Sequence, residues 1–529
     1  MDEFDYVIIG GGSGGSAVSG RLCEDGTQSV CLIEAGSANK SWRIKAPGMM
    51  PFLPRSSGWA FDTVPQKGLN GRTGFQPRGK GLGGSSAINA MVYIRGCAWD
   101  YDNWATLGCD GWAYKDVLPW FKKAESNVRG GDDWHGQSGP LSVSNQNWPN
   151  PGSLAFVEAG AELQLPRNPD FNGAQFEGVG LYQVTQKNGE RWSAARAYVE
   201  HHRDAGRLTV KTGALVEKIL IENGRAVGVQ IKQGWSRKTI RARKAVVLSA
   251  GAFGTPQTLM LSGIGPADHL REHGIAVVVD RPAVGSGLQD HIDYVSGFET
   301  GGDTFIGQTP TTVMRFVKSV FQWWKDRTGT LTSPYAEAGG FAKSAPDVPA
   351  PDLQFHFVPT ILEDHGRERV KGVGYSLHVC VLRPHSHGTV RLANADPRSA
   401  PVIDPNFLAD DRDMAVLKAG VRLSHRIVSA PSLAQFGGKD RHATPLDNDT
   451  ALERLIRDRS DTVYHPVGTA RMGSDEDAVC DTRLRVRGVA GLYIADASIM
   501  PRLVSGNTNA PTIMIGERCA DFIKADCAD

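Results

Sequence analysis

Apolar and polar positions alternate along this chain with three different rhythms. The first rhythm opens it. Tyr6 to Ile9 is an unbroken apolar run of the length a strand buried on both faces needs. A glycine cluster comes next, Ser16 to Leu22 predicts a helix, and Val30 to Ile33 predicts a second buried strand that stops at Glu34. The same rhythm returns twice. Ala245 to Leu248 runs through Ser249 and Ala250 into Gly251, which begins a helical stretch reaching toward Gly265. Leu492 to Ala495 ends on Asp496, and Ser505 to Gly516 begins a last helix.

The second rhythm is period two. Leu208 to Thr212, Leu215 to Glu222, Ala226 to Lys232 and Lys238 to Arg241 predict short strands, with Asn223-Gly224 as a hairpin turn. They predict a meander that ends before the apolar strand at Ala245. Leu353 to Pro359 and Tyr375 to Leu382 predict further strands, separated by the charged loop Glu363 to Arg369. This texture, from about Asp293 to Asp461, predicts an antiparallel sheet and a second domain.

The third rhythm is helical. Asp116 to Glu125 and residues 153–163 carry it. Val313, Phe316, Val317, Val320, Phe321 and Trp324 recur at i, i+3, i+4 spacing, with Arg315, Lys318 and Lys325 off that face. That pattern suits a helix packed on a sheet, and it also suits a basic amphipathic helix that docks on a membrane or a redox partner. Residues 37–75, with Pro47, Pro51, Pro54 and Pro65, predict a covering loop. His135, between Trp134 and Gly136, predicts a turn hydrogen-bonder.

A chain of 529 residues is too long for one core. Its hydrophobic content of 40%, charged content of 22% and net charge of +1 describe an ordinary globular protein with no global attraction to nucleic acid. The eight cysteines form no C-x-x-C and no zinc spacing, so reduced thiols in a cytoplasmic enzyme are expected, with no metal. Neither a cleavable signal nor an apolar run of membrane-spanning length is visible.

The opening rhythm carries chemistry. Gly10, Gly12 and Gly15 have G-x-G-x-x-G spacing between a strand and a helix. Such glycines allow a tight turn, approach of a pyrophosphate to the backbone, and close helix–strand packing, with the helix dipole facing the phosphates. Glu34 lies about 20 residues on, where an acid accepts bonds from ribose hydroxyls. A second glycine-rich loop runs from Arg78 to Met91, with packed Leu82, Ile88 and Met91, and offers clustered N–H groups to a polar cofactor edge.

These blocks together resemble the glucose–methanol–choline (GMC) oxidoreductase family of flavoproteins over essentially the whole chain. Gly79 to Met91 and Gly251 to Gly265 resemble its two signature patterns, and Tyr464-His465-Pro466-Val467-Gly468 with Asn507 resembles its catalytic pair. Ala90 to Gly96 and Val184 to Gly189 are similar to segments of bacterial membrane-associated alcohol dehydrogenases of the choline, polyethylene glycol and aliphatic alcohol types. The resemblance implies an α/β fold: a Rossmann-like FAD-binding domain (1–145, 205–292 and 462–529) and a substrate domain with a six-stranded antiparallel sheet (146–204 and 293–461). It implies FAD contacts from Gly10, Gly12, Ser13, Gly15, Glu34 and Ala35, and from Gly83, Gly84, Ser85, Asn89, Ala90, Met91 and Val92. Val216, Ala250, Gly251, Asp496, Ala497, Asn507, Thr508, Pro511 and Thr512 complete the implied set. Relatives that bind flavin covalently use a His just before the Asn of the signature loop. Ile88 precedes Asn89 here, so non-covalent FAD is expected.

Oxidising an alcohol requires a base for the hydroxyl proton and an acceptor for the hydride. His465 is the expected base and Asn507 the expected holder of the substrate oxygen. From the residues alone, His465 beside a proline also reads as a buried structural histidine, and Asn507 as a helix N-cap. The remaining histidines, His291, His356 and His378 among them, show no comparable context in the sequence. The expected reaction is conversion of a primary alcohol to an aldehyde, with electrons passing to a quinone or another acceptor other than oxygen. An oxygen-using oxidase, a lyase holding FAD without net redox, a nicotinamide dehydrogenase and a flavin-bound non-enzyme remain open at this level. Peripheral contact with the inner membrane and a homodimer are left open too.

Overall fold

The computed structural model describes residues 2–368 and 370–527; Met1, Arg369, Ala528 and Asp529 lie outside the described residues. Two sheets organise it. In the first, the order of strands is Leu208–Thr212, Val30–Glu34, Asp2–Ile9, Ser236–Leu248, Arg225–Gln233, Ala214–Glu222, with Leu492–Ile494 also on Ser236–Leu248. Pairings among the first four of these strands, and with Leu492–Ile494, are parallel. Helix Ser13–Leu22 makes the crossover between the strands Asp2–Ile9 and Val30–Glu34. Buried Val7, Ile8, Leu32, Val246, Val247 and Ile494 explain the unbroken apolar runs, since helices and loops cover both faces.

The meander does not end before Ala245. Ser236–Leu248 is one strand of 13 residues. Its first half pairs antiparallel with Arg225–Gln233, and its second half lies between Asp2–Ile9 and Leu492–Ile494. The polar run Arg241 to Lys244 reads as a break in the sequence. In the structure Ile240 and Ala242 point inward, while Arg243 pairs with Asp5 on the adjacent strand and Arg241 with Glu222 on the strand beyond Arg225–Gln233.

The second sheet has the order Lys439–Asp440, Ile292–Thr300, Val373–Val381, Leu353–Val358, Ala338–Ala342, Gly178–Leu181, all antiparallel, with Asp461–Thr462 also on Ile292–Thr300. Among the described residues it therefore has seven strands where six were expected. Two of them are only two residues long and carry no readable alternation. Period two sorts its faces. Tyr294, Phe355, Phe357, Tyr375, Leu377 and Val379 point into a separate apolar core under helices Pro151–Glu162, Asp411–Ser429 and Asp449–Arg459. Asp293, Gln354, His356, Ser376, His378 and Cys380 point to the other face, and all are buried.

Other elements depart from expectation in instructive ways. Residues 37–75 are not loop alone. They hold the turns Trp42–Lys45 and Pro47–Phe52, and a strand Gly58–Asp62 paired with Phe75–Gly79. Pro77 is tolerated there because the ribbon has only two strands. Helix Pro310–Asp326 exists, but it packs on Trp42, Ala46, Met49 and Leu331 and not on a sheet. His135 is fully buried, with its ring nitrogens 2.7 Å from Glu125 and 2.8 Å from Asp170. Burial opposes its charge, but the two carboxylates outweigh it and raise its pKa to about 9, making a structural ion cluster with Arg95.

Candidate active site

The two glycine loops are stitched together by backbone. Gly83 N donates to Gly11 O at 2.7 Å, and a Cβ on Gly84 would lie 2.7 Å from Gly12 Cα. A Cβ on Gly12 would meet nothing within 4 Å, so open space adjoins this backbone where the fingerprint places a pyrophosphate. Gly14, which the spacing rule passes over, is as constrained as Gly15: its Cβ would lie 1.9 Å from Ala495 O, the carbonyl at the end of the strand Leu492–Ile494. Helix Ser13–Leu22 is thereby pinned so that its N-terminal N–H groups face the gap. Ser13 Oγ donates to Asn509 Oδ1 at 2.7 Å, which brings the N-terminus of helix Asn509–Asp526 to the same place.

Glu34 is buried and accepts three backbone N–H bonds, from Gly11 (2.8 Å), Gly36 (2.7 Å) and Gly81 (2.9 Å). A carboxylate has about four acceptor positions, so one remains for a ribose hydroxyl. Asp496 is more fully engaged: it accepts from Gly251 N, Thr255 Oγ1 and Ser498 N. Its side chain thus ties the start of helix Gly251–Leu261 to the turn Ala497–Ile499. Ala35 follows Glu34, Val216 lies buried in Ala214–Glu222, and Ala250 and Gly251 stand at the strand-to-helix turn. Thr508 precedes the last helix, and Thr512 Oγ1 donates back to its carbonyl at 2.7 Å one turn beyond it, next to Pro511.

In the second loop, Ser85 Oγ accepts from Gly79 N. Ala90, Met91 and Val92 lead out of the loop, Met91 with φ of 60°. Asn89 Oδ1 accepts from Met91 N and from Arg191 Nη1. Arg191 is 1% exposed and makes its remaining bonds to carbonyls of Ile44, Ser86 and Asn89. No carboxylate pairs with it among the described residues, its Nη2 has no partner, and burial pushes its pKa down to about 9. An unpaired buried cation with an unfilled donor is costly. Beside the loop it supplies what an anionic, oxygen-rich cofactor needs. The residues present therefore fit FAD.

His465 and Asn507, 42 positions apart, meet: Asn507 Nδ2 lies 3.1 Å from His465 Nε2. Asn507 is not the helix N-cap, a position held by Thr508; its Oδ1 accepts from Gln354 Nε2 at 3.3 Å. His291 Nδ1 lies 2.9 Å from His465 Nδ1, and His291 Nε2 lies 3.0 Å from Leu382 O. A carbonyl can only accept, so His291 Nε2 carries its proton. Burial holds the His291 pKa down at about 3, so the ring is neutral and its Nδ1 accepts. His465 must then donate from Nδ1, which leaves Nε2 with a free lone pair facing Asn507. Burial first, then His291, His356 and Arg78, hold the His465 pKa well below 6.5.

The backbone around His465 is clamped. Asp290 Oδ1 accepts from His465 N at 2.8 Å, and burial raises the pKa of that carboxyl to about 6. Tyr464 has φ of 75°, a costly value for a bulky residue. Arg78 bonds its carbonyl, Thr462 Oγ1 accepts from its N–H, and its hydroxyl bonds His365 Nδ1 at 2.6 Å. His365 is thus a brace reaching Asp461 and not a free surface group.

Nothing in the local sequence around His291, His356, Gln354, Arg191 or Asp290 singles them out. One signal was present: the alternation in the strands starting at Ile292, Leu353 and Val373 puts Asp293, His356 and His378 on one face. His378 Nδ1 is 2.6 Å from Asp293 Oδ2, while His356 Nδ1, His378 Nε2 and Asp293 Oδ1 are buried without partners among the described residues. They leave hydrogen-bonding capacity on the sheet face that reaches Asn507 through Gln354.

Comparison with known proteins gives the family of the chain that carries these loops. The chain matches the two GMC oxidoreductase family models over residues 4–293 and 384–516. This protein belongs to the GMC oxidoreductase family and is an oxidoreductase. It is 46% identical to an alcohol dehydrogenase [acceptor] of Pseudomonas putida over 99% of this chain and 97% of that one. It is 41% identical to a mitochondrial choline dehydrogenase of Homo sapiens over 100% and 91%. Among solved structures, a pyridoxine 4-oxidase from Mesorbium loti superposes with a TM-score of 0.88 at 30% identity, covering 98% of each chain. A formate oxidase of Aspergillus oryzae, studied for modification of its FAD, gives 0.93 at 27%, covering 100% and 99%.

Proposed function

We propose that this protein is an FAD-dependent alcohol dehydrogenase that oxidises a primary alcohol to an aldehyde and passes the electrons to a quinone or another acceptor other than oxygen. The observation that carries the reading is the ordered chain Leu382 O, His291, His465, Asn507. It ends on an unprotonated Nε2 that can take a hydroxyl proton. The alcohol replaces the Asn507–His465 contact: its O–H donates to His465 Nε2, and Asn507 Nδ2 donates to its oxygen. His465 removes the proton as general base while Asn507 fixes the oxygen and hence the direction of the carbinol C–H. Bound FAD supplies the hydride acceptor.

FAD is held non-covalently, because Ile88 offers no nucleophilic atom. It is held by Gly10, Gly12, Ser13, Gly15, Ala35 and one bond from Glu34, by Gly83, Gly84, Ser85, Asn89, Ala90, Met91 and Val92, and by Val216, Ala250, Gly251, Asp496, Ala497, Asn507, Thr508, Pro511 and Thr512. Arg191 joins this set as a cation toward the cofactor. The segments 1–145, 205–292 and 462–529 form the FAD domain in this reading, and 146–204 and 293–461 form the substrate domain. Similarity to an acceptor-linked alcohol dehydrogenase favours the acceptor assignment. An anaerobic panel of alcohols, watched for flavin bleaching and then mixed with air or a quinone, tests it. Bleaching by a primary alcohol and reoxidation by quinone faster than by air is expected. Faster reoxidation by air would make it an oxidase. A flavin that stays oxidised with every alcohol would overturn the reading.

A further inference from the structure

Asn507 can meet a substrate oxygen with its Nδ2 donor or with its Oδ1 acceptor, and only the first is of use beside His465. Its other end lies against Gln354, whose Nε2 is 3.3 Å from Asn507 Oδ1 and 3.4 Å from Tyr182 Oη. Tyr182 Oη donates to the Phe355 carbonyl at 2.6 Å. A carbonyl only accepts, so the single phenol proton is committed there and Tyr182 meets Gln354 as an acceptor. Burial pushes the Tyr182 pKa up, which keeps that proton in place. Gln354 must then turn its NH2 group toward Tyr182, and the two protons of that nitrogen serve both oxygens. Its Oε1 faces the other way, toward the thiol of Cys380 at 4.0 Å. Asn507 therefore receives a donor at Oδ1 and has Nδ2 left for His465 Nε2. Reversing Asn507 would set N–H against N–H at Gln354, and oxygen against the lone pair of His465. Reversing Gln354 would set its oxygen against Tyr182 Oη and Asn507 Oδ1.

The second sheet is shaped for this reach. Tyr182 follows the strand Gly178–Leu181, and Phe355 lies two strands over, on Leu353–Val358. The phenol crosses the intervening strand Ala338–Ala342 at Gly339, where a Cβ would lie 2.2 Å from Tyr182 Oη. Tyr182 and Gln354 are 1% and 0% exposed, so neither can exchange its partner for solvent without opening the sheet. Two chains of fixed polarity thus end at one point. Leu382 O, through His291, leaves His465 Nε2 an acceptor; Phe355 O, through Tyr182 and Gln354, leaves Asn507 Nδ2 a donor.

We propose that Gln354 and Tyr182 are positioning residues for the oxidation: they hold the Asn507 amide with its nitrogen toward the substrate, so that the alcohol oxygen accepts from Asn507 and the hydroxyl proton goes to His465. This rests on the roles given above to His465 and Asn507. Without Gln354, a reversed Asn507 offers Oδ1 to the alcohol, which then donates its proton there and sits bound but unreactive.

The test is anaerobic stopped-flow reduction of Gln354→Leu holoenzyme over a range of concentrations of a primary alcohol that bleaches the wild-type flavin. The limiting rate should fall on the order of tenfold or more. The alcohol dissociation constant should not rise, because the reversed amide adds a binding mode, and FAD content should match the wild type. Tyr182→Phe keeps the ring over Gly339 and removes only the hydroxyl; a loss of roughly 2–10-fold in the same rate is expected. In an Asn507→Ala background, Gln354→Leu should cost nothing further, because the amide it orients is gone. A loss as large in that background as in the wild type, a loss that appears as weaker alcohol binding, or wild-type rates in both single variants would overturn the proposal. Asn507→Ala reduced at wild-type speed would instead remove Asn507 from the mechanism, and the positioning role with it.

Discussion

His465 Nδ1 lies 2.9 Å from Nδ1 of His291, and the bond between them has only one workable direction. The Leu382 carbonyl fixes the proton of His291 on Nε2, so His291 accepts and His465 donates. His291→Leu should leave His465 free to place its proton on either nitrogen. Loss of such an orienting partner typically costs ~10–10²-fold, here expected in the rate of flavin reduction by alcohol. His291→Gln keeps an oxygen that can accept the same N–H and should recover most of the rate. Stopped-flow reduction of both variants checks this; equal, unimpaired rates would show that the tautomer is set elsewhere.

The pH dependence has its origin in the same site. The active form of His465 is neutral, so the reductive rate rises with pH through its ionisation. Burial and the neighbouring His291, His356 and Arg78 hold that ionisation well below 6.5. The rate should therefore be flat at neutral and mildly alkaline pH and fall only on the acid side of the ordinary imidazole value. A single inflection above it, in anaerobic flavin reduction at saturating alcohol, would contradict this electrostatic picture.

Arg191 should matter to cofactor retention. Arg191→Gln keeps a donor for the Asn89 loop but removes the unpaired buried cation. A hydrogen bond to a charged group contributes ~1.5–3 kcal/mol, so FAD affinity should weaken ~10–10²-fold. The flavin-to-protein absorbance ratio after gel filtration, with far-UV circular dichroism as a check on folding, reads this without any turnover. An unchanged FAD dissociation constant in a folded variant would leave Arg191 a purely structural role.

Features that obey local rules were legible in the sequence. The buried strands, the glycine spacing, the hairpin at Asn223-Gly224 and the pairing of His465 with Asn507 belong here, because each depends on neighbours in sequence or on a family pattern. The single strand Ser236–Leu248 was not legible, because the partners of Arg241 and Arg243 come from other strands. Gly14 was passed over because its necessity comes from Ala495, far along the chain. His291 was hidden for the same reason: it becomes a neighbour of His465 only when Asp461–Thr462 pairs with Ile292–Thr300. For His356 the strand alternation gave the face but not the neighbour. The apolar positions on helix Pro310–Asp326 could be counted in the sequence, but not which of them the body would cover.

His465 as the base is the assignment on which the mechanism depends. His465→Ala should retain the flavin spectrum, because His465 is not among the groups assigned to FAD. The decisive measurement is anaerobic stopped-flow reduction of FAD by a primary alcohol in the purified variant. The expected rate is lower by about 10²–10⁴-fold, with the acid-side inflection of the wild type abolished. A His465→Ala protein that folds, holds FAD and is reduced at the wild-type rate with the wild-type pH profile would contradict it.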